Sequence, residues 1–429
     1  MKDQSFSELG VQPEILKAID EMGFEAPTTI QSRCIPTILA NRDLVGQAQT
    51  GTGKTAAFGI PAIQTANKGS KTPSILILCP TRELAIQVTG ELIKLARFVD
   101  GVYTVPVYGG QPISRQLKAL KKGAQIVVGT PGRVIDHLKR GTLKLGSLQT
   151  LVLDEADEML NMGFREDIEQ ILSFASGKSQ TIMFSATVPK AIQRLMNKWM
   201  ENPEMVKVAG KTETAEGIDQ YVMEVRDSMR TEAVSRVLDM MNFKLSLIFC
   251  NTKRKCDSLV QEFQARGYPA DALHGDMRQN VRDKVMNKFR RGDIDVLIAT
   301  DVAARGLDVE DIDVVFNYDI PQDPEYYVHR IGRTGRAGKT GMAITFKSGR
   351  KNKNLRFIEK QIRTQLKPLP MPSVKEVQLS KMESHFNEIL NTLQKGGLRE
   401  YIDQLEPLAE GDFSTIEIAA ALLKMKVEN

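Results

Sequence analysis

The sequence has 429 residues, 41% hydrophobic and 26% charged, with a formal charge of +5. That is enough chain for two α/β domains and an appendage, and too evenly mixed for extensive disorder. No apolar run approaches a membrane span, and the amino terminus lacks a basic-then-apolar signal pattern.

Short apolar runs alternate with amphipathic segments, as in parallel sheets with crossover helices. The first half gives DLVGQA (43–48), SILILCP (74–80), QIVVGT (125–130), LVLDEAD (151–157) and TIMFSAT (181–187). The polar, aperiodic VAGKTETAEG (208–217) predicts an interdomain linker. The pattern restarts with LSLIFCNT (245–252), DVLIATD (295–301), DVVFNYD (313–319) and GMAITF (341–346). The expectation is two α/β domains, 1–207 and 218–365, with ligands at the carboxyl ends of the strands.

From Leu366 onward the chain is acidic, with 7 Lys+Arg against 10 Asp+Glu; the preceding residues carry 51 against 43. A basic body with an acidic tail is compatible with nucleic-acid binding. Met382, Phe386, Ile389, Leu390 and Leu393 share one helical face ahead of Gly396-Gly397, and Ser414 with Glu417 forms a capping box. Three short amphipathic helices are expected over 366–429. They have little core of their own, so they must pack on the body or on another chain. The four cysteines, Cys34, Cys79, Cys250 and Cys256, form no CxxC pair and have no histidine at metal spacing. They are read as reduced core thiols of a cytoplasmic protein.

Ala48-Gln49-Thr50-Gly51-Thr52-Gly53-Lys54-Thr55 follows the first strand directly and fits a phosphate loop, with Ala48 where the general pattern has glycine. Gly51 and Gly53 let backbone N–H groups turn toward phosphate, Lys54 reaches the β- and γ-phosphates, and Thr55 can ligate Mg2+. Further on, a buried-looking strand ends in Asp154, Glu155 and Asp157. Acids there are costly unless something positive sits against them. A helix start alone would favour acids, but with a phosphate loop upstream Asp154 is placed to hold the magnesium and Glu155 to activate the attacking water.

With AQTGTGKT and DEAD both present, the chain resembles the DEAD-box RNA helicases over roughly residues 4–345. The resemblance implies two RecA-like domains in tandem with a small all-α C-terminal module. GFEAPTTIQ (23–31) resembles the Q motif, which makes Gln31 and Phe6 the adenine contacts. PTRELA and TPGR, with Gly109-Gly110, resemble motifs that bind the RNA backbone through Pro80, Thr81, Arg82, Gly109, Gly110, Thr130 and Arg133. Ser185 and Thr187 of SAT resemble the motif that couples hydrolysis to RNA binding through Asp157. In the second half, the resemblance turns Gln279, Arg282, Thr300 and Asp301 toward RNA and gives Asp308 the ribose. His329 and Arg330 would link to the first domain, and Arg333 and Arg336 would be arginine fingers.

The resemblance implies ATP-dependent, local separation of short RNA duplexes with little sequence preference, driven by cleft closure. A non-unwinding ATP-dependent RNA clamp would share every motif; Gln31 with DEAD and HRIGRTGR argues against a DNA helicase, and an inert scaffold would not need intact catalytic positions. The segment 366–429 is similar to the helical dimerisation module of the CshA-like group of bacterial cold-shock DEAD-box helicases. That similarity implies a homodimer and a role in RNA remodelling such as mRNA decay, ribosome assembly or cold adaptation, with partners from those pathways. Members of that group often continue into a basic RNA-binding tail, so this chain is expected either to be truncated or to lack one.

Overall fold

A computed structural model describes residues 4–48, 52–175, 179–208, 217–304, 312–335, 340–349, 352–409 and 413–428. The first domain holds strands β1 (Leu44–Gln47), β2 (Ile75–Leu78), β3 (Thr104–Val107), β4 (Ile126–Gly129), β5 (Thr150–Leu153), β6 (Gln180–Ser185) and β7 (Glu204–Lys207). The second holds β8 (Ile218–Glu224), β9 (Ser246–Phe249), β10 (Ala270–Leu273), β11 (Val296–Ala299), β12 (Val314–Asn317), β13 (Gly341–Lys347) and β14 (Lys367–Pro368). The sheet orders are β3-β4-β2-β5-β6-β1-β7 and β10-β11-β9-β12-β13-β8-β14. The described pairings are parallel, for example Leu78 opposite Leu153 and Phe249 opposite Ala299. These are two RecA-like domains followed by a helical segment.

A central parallel strand is apolar on both faces because helices cover both. In β2, Ile75 and Ile77 enter one core, while Leu76 and Leu78 enter the other. β9 divides the same way, Ile248 to one side and Leu247 and Phe249 to the other. The five first-half runs and the four second-half runs each became a strand. Sequence reading missed the outer strands β3, β7, β8, β10 and β14. β7 buries only one residue of four, and β3 alternates buried with half-buried. Half-covered strands lack the continuous apolar run that marks central ones.

The second sheet runs past residue 365 through β14, and Leu369 and Met371 still pack on its core. The tail is helical over Val374–Lys395, Arg399–Ala409 and Thr415–Glu428. The first of these is long because Ser373 and Glu376 form a capping box well upstream of the expected start. Its beginning is fastened to the second domain. Ser380 donates to the Met240 carbonyl at 2.7 Å, Lys381 pairs with Asp239 at 2.9 Å, and Arg236 donates to the Pro372 carbonyl at 3.0 Å. Beyond that anchor Phe386, Ile389, Leu390, Leu393, Tyr401 and Ile416 stay exposed. Among the described residues no helix is long and apolar enough to cross a membrane, and all four cysteines are buried free thiols.

Candidate active site and nucleic-acid groove

Apart from the Gln31 segment, which precedes β1, each motif of the first domain lies at the carboxyl end of a strand, so the sheet gathers them along one edge. Ala48 directly follows β1, its N–H donating to Ser185 O at 3.1 Å. Gln49, Thr50 and Gly51 lie outside the described residues. Gly53 caps the helix Lys54–Thr65 with φ +85°, and a Cβ there would stand 2.4 Å from Gln31 Nε2. Only glycine fits both demands. Lys54 is buried and Thr55 half-buried at the start of that helix.

Gln31 braces this loop. Its Oε1 accepts from Thr28 N at 2.8 Å and its Nε2 donates to Gly53 O at 3.2 Å, while Thr28 Oγ1 donates to Thr52 O at 2.9 Å. The same residue is the far half of a capping box on Thr28. Phe6 is 5% exposed and packs 6.4 Å from Phe24, ring centre to ring centre, within the core.

The acidic strand end lies inside the protein. Asp154 is 3% exposed, and burial pushes its pKa up to about 7, with Lys54 pulling down and Glu155 pushing up. A carboxylate held this dry is a hard oxygen donor whose charge burial leaves poorly compensated, which suits Mg2+. Glu155 is half-buried with φ +50°, a left-handed conformation that costs an L-residue about 1 kcal/mol. Strain of this kind collects at functional sites. Asp157 is fully engaged: Oδ2 accepts from Thr187 N at 2.8 Å and from its hydroxyl at 3.0 Å, and Oδ1 accepts from Glu158 N at 3.1 Å. Ser185 donates to Thr187 O at 2.6 Å. SAT is thus bonded to the acidic loop.

The residues expected at RNA form a second group. Pro80 is buried, and Thr81 caps the helix Arg82–Leu95 by accepting from Leu84 N. Gly109 and Gly110 lie against Arg82; a Cβ on Gly110, which has φ +85°, would fall 2.0 Å from Arg82 Nη1. Thr130 caps the helix Pro131–Lys139, which carries Arg133. Arg82 has its pKa lowered, first by burial and then by Arg282 and Arg133, with Glu83 opposing. Three guanidiniums therefore converge here.

The two domains touch across the cleft. Arg82 Nη1 donates to Gln279 Oε1 at 2.9 Å, Arg282 pairs with Glu83 at 2.9 Å, and Gln279 Nε2 donates to Glu83 Oε1 at 3.4 Å. On the nucleotide side His329 Nδ1 lies 3.3 Å from Glu158 Oε1. Arg330 does not share in this link, contrary to expectation. It is 1% exposed, doubly bonded to Asp301 at 2.6 and 2.8 Å, and it donates to Asn317, Asn251 and the Asp319 carbonyl. A buried guanidinium must satisfy its whole fork, and the ends of β9, β11 and β12 supply the acceptors. Both Asp301 oxygens are thereby committed, beside a half-buried Thr300. Arg333 is 8% exposed and donates to His329 O at 3.2 Å. Arg336 and Asp308 lie outside the described residues. Sequence reading missed Glu83 and Glu158, each one position beyond a residue it did single out, and each only becomes meaningful once the opposite domain is in place.

Family models match along most of the chain: DEAD/DEAH box helicase over 28–195, helicase conserved C-terminal domain over 229–338, and RNA helicase DeaD dimerization domain over 372–429. The chain is 48% identical to the DEAD-box ATP-dependent RNA helicase CshA of Geobacillus kaustophilus, covering 98% of this chain and 90% of that one. It is 45% identical to the CshA of Bacillus subtilis, covering 98% and 85%. Among solved structures it is similar to S. cerevisiae Dbp5 bound to RNA and ADP BeF3, with TM-score 0.78, 32% identity, and 88% and 99% covered. It is also similar to a DEAD box protein from Methanococcus jannaschii, with TM-score 0.50, 45% identity, and 85% and 99% covered.

Proposed function

This chain belongs to the DEAD-box ATP-dependent RNA helicases, of the CshA type, and from that premise we propose how its own residues couple hydrolysis to strand separation. The observation that carries the reading is the double bridge across the cleft. One bridge, His329 to Glu158, lies beside the acids of the nucleotide site. The other, Arg82 and Glu83 to Gln279 and Arg282, lies in the groove where the arginines converge. Neither site is complete in one domain, so ATP and RNA each favour the joined state and hence each other.

The likeness to Dbp5 supports the same reading. Dbp5 bound to RNA and ADP BeF3 superposes better at 32% identity than the Methanococcus protein does at 45%. The arrangement of domains follows something other than sequence distance, and a ligand-competent, joined cleft accounts for it.

In the site, Lys54 and the backbone of the phosphate loop bind the triphosphate, with Gln31 and Phe6 at the adenine. Thr55 and Asp154 would hold Mg2+, which neutralises phosphate charge. Glu155 orients and deprotonates the attacking water, and Arg333 with Arg336 stabilises charge on the transferring group. In the groove Arg82, Arg133 and Arg282 take RNA phosphates, with little base reading. Residues 366–429 join two copies through their exposed apolar face.

The test is release of a labelled strand from a short RNA duplex. ATP should drive release by the native chain, and the Glu155→Gln chain should bind the duplex without turnover. Slow turnover with long RNA residence and no strand release would instead mark a clamp.

A further inference from the structure

Beneath Arg133 lies a buried polar cluster that the binding scheme above does not use. His137, 0% exposed, sits one helical turn after Arg133. Its Nε2 is 3.1 Å from Gln116 Oε1, and its Nδ1 is 2.9 Å from Thr142 Oγ1. Gln116, 4% exposed, donates from Nε2 to the Tyr108 carbonyl at 2.7 Å. Its Oε1 accepts from Arg133 Nη1 at 3.4 Å, and the same nitrogen donates to the Gln111 carbonyl at 3.3 Å. Tyr108 immediately precedes Gly109-Gly110. One buried amide therefore joins the two loops expected to meet the RNA backbone.

The protons follow from the partners. Gln116 Nε2 must donate, since it faces a carbonyl, so its Oε1 faces Arg133 and His137 and can only accept. His137 Nε2 is then the donor. Burial first, and then Arg133, hold the His137 pKa below its usual value, so the ring is neutral with its proton on Nε2, and the single Thr142 hydroxyl proton serves Nδ1 at 2.9 Å or the His137 carbonyl at 3.1 Å. A neutral amide fixes the guanidinium without cancelling its charge. The nearest carboxylate, Asp136, is 3.9 Å away and already pairs with Arg140 at 2.6 Å.

We propose that His137 and Gln116 are positioning residues for RNA binding: His137 locks the Gln116 amide, and the amide holds Arg133 and the Tyr108–Gly110 loop in register for adjacent phosphates. The proposal rests on the reading of Arg133 as an RNA-backbone contact. Fixing a long, flexible cation before binding removes the ordering cost that binding would otherwise carry.

The experiment is anisotropy of a labelled single-stranded RNA with the full chain and a non-hydrolysable ATP analogue, over a salt series. Gln116→Leu and His137→Leu should each weaken binding roughly tenfold. Each should also flatten the plot of log K against log salt by about 0.7, the share of one phosphate contact on a single strand. Arg133→Ala should do the same, and adding Gln116→Leu to it should cost nothing more. His137→Gln, whose amide N–H can stand where Nε2–H stood, should bind like the native chain. KM for ATP without RNA should be unchanged in Gln116→Leu. A merely structural role would lower the folded fraction, which shifts amplitude and leaves the slope alone. Native slopes in Gln116→Leu and His137→Leu, with a flattened slope in Arg133→Ala, would overturn the proposal. A native slope in Arg133→Ala would overturn the RNA reading of that loop as well.

Discussion

His329 and Glu158 face each other across the cleft at 3.3 Å, a histidine of the second domain against a buried acid that adjoins Asp157 of the first. Asp157 in turn holds Thr187, so the contact is one bond removed from Ser185-Ala186-Thr187, the motif proposed above to tie hydrolysis to RNA. Replacing His329 with alanine should leave ATP binding intact and cut RNA stimulation of turnover about tenfold, the scale of an ordinary coupling energy. Turnover with and without RNA, alongside nucleotide affinity, measures it.

Glu83 serves both Arg282 and Gln279 from the opposite side of the groove. Glu83→Ala leaves Arg282, itself largely buried, without its carboxylate. RNA binding in the presence of nucleotide should weaken by about 2 kcal/mol, the cost of a lost charged hydrogen bond, whereas RNA-free ATP binding should not change. Titrating RNA with and without nucleotide separates the two.

Gln31 closes the capping box and supports the Gly53 carbonyl at once. Gln31→Ala should raise KM for ATP about tenfold and lower the melting temperature by a few degrees, the usual consequence of losing a cap and a buried hydrogen bond. A thermal melt and an ATP titration of the same preparation test both halves.

Asp154 is an acid whose folded pKa is raised, to about 7, with burial as the main cause. The folded state therefore takes up a proton more readily than the unfolded one, and stability is lost as pH rises from about 4 through about 7. Asp154→Asn should abolish hydrolysis and yet melt higher than the native chain at pH 8 without nucleotide or metal. The difference should close as pH approaches 4. Melting curves at the two pH values suffice.

The exposed Leu390 and Leu393 lie on the long tail helix beyond its anchor on the second domain. Apolar side chains in such a row mark an interface. Changing both to aspartate should turn a dimer into a monomer in light scattering, with RNA-stimulated turnover per chain kept.

Much of this was legible because chemistry that needs a strand end leaves a strand end in the sequence. LVLDEAD reads as a buried run with acids at its tip, and it is one. The phosphate loop and SAT were readable the same way, each closing an apolar run. The edge strands β3 and β7 were not, since partly covered strands keep polar residues among the apolar ones. Arg330 was misplaced because an arginine in a basic run looks the same whether it reaches outward or satisfies buried carbonyls; only the ends of β9, β11 and β12 reveal which. Gln116 and His137 carried no signal at all, since their partners are 21 residues apart in the chain and meet only through the packing of two helices on one sheet.

The central claim is that RNA and ATP act through one joined cleft, and steady-state ATP hydrolysis with and without single-stranded RNA tests it most directly, with the Glu155→Gln chain as control. RNA should raise turnover many-fold, DNA should not, and the control should be inactive. Turnover indifferent to RNA, in a chain that still binds it, would contradict the account.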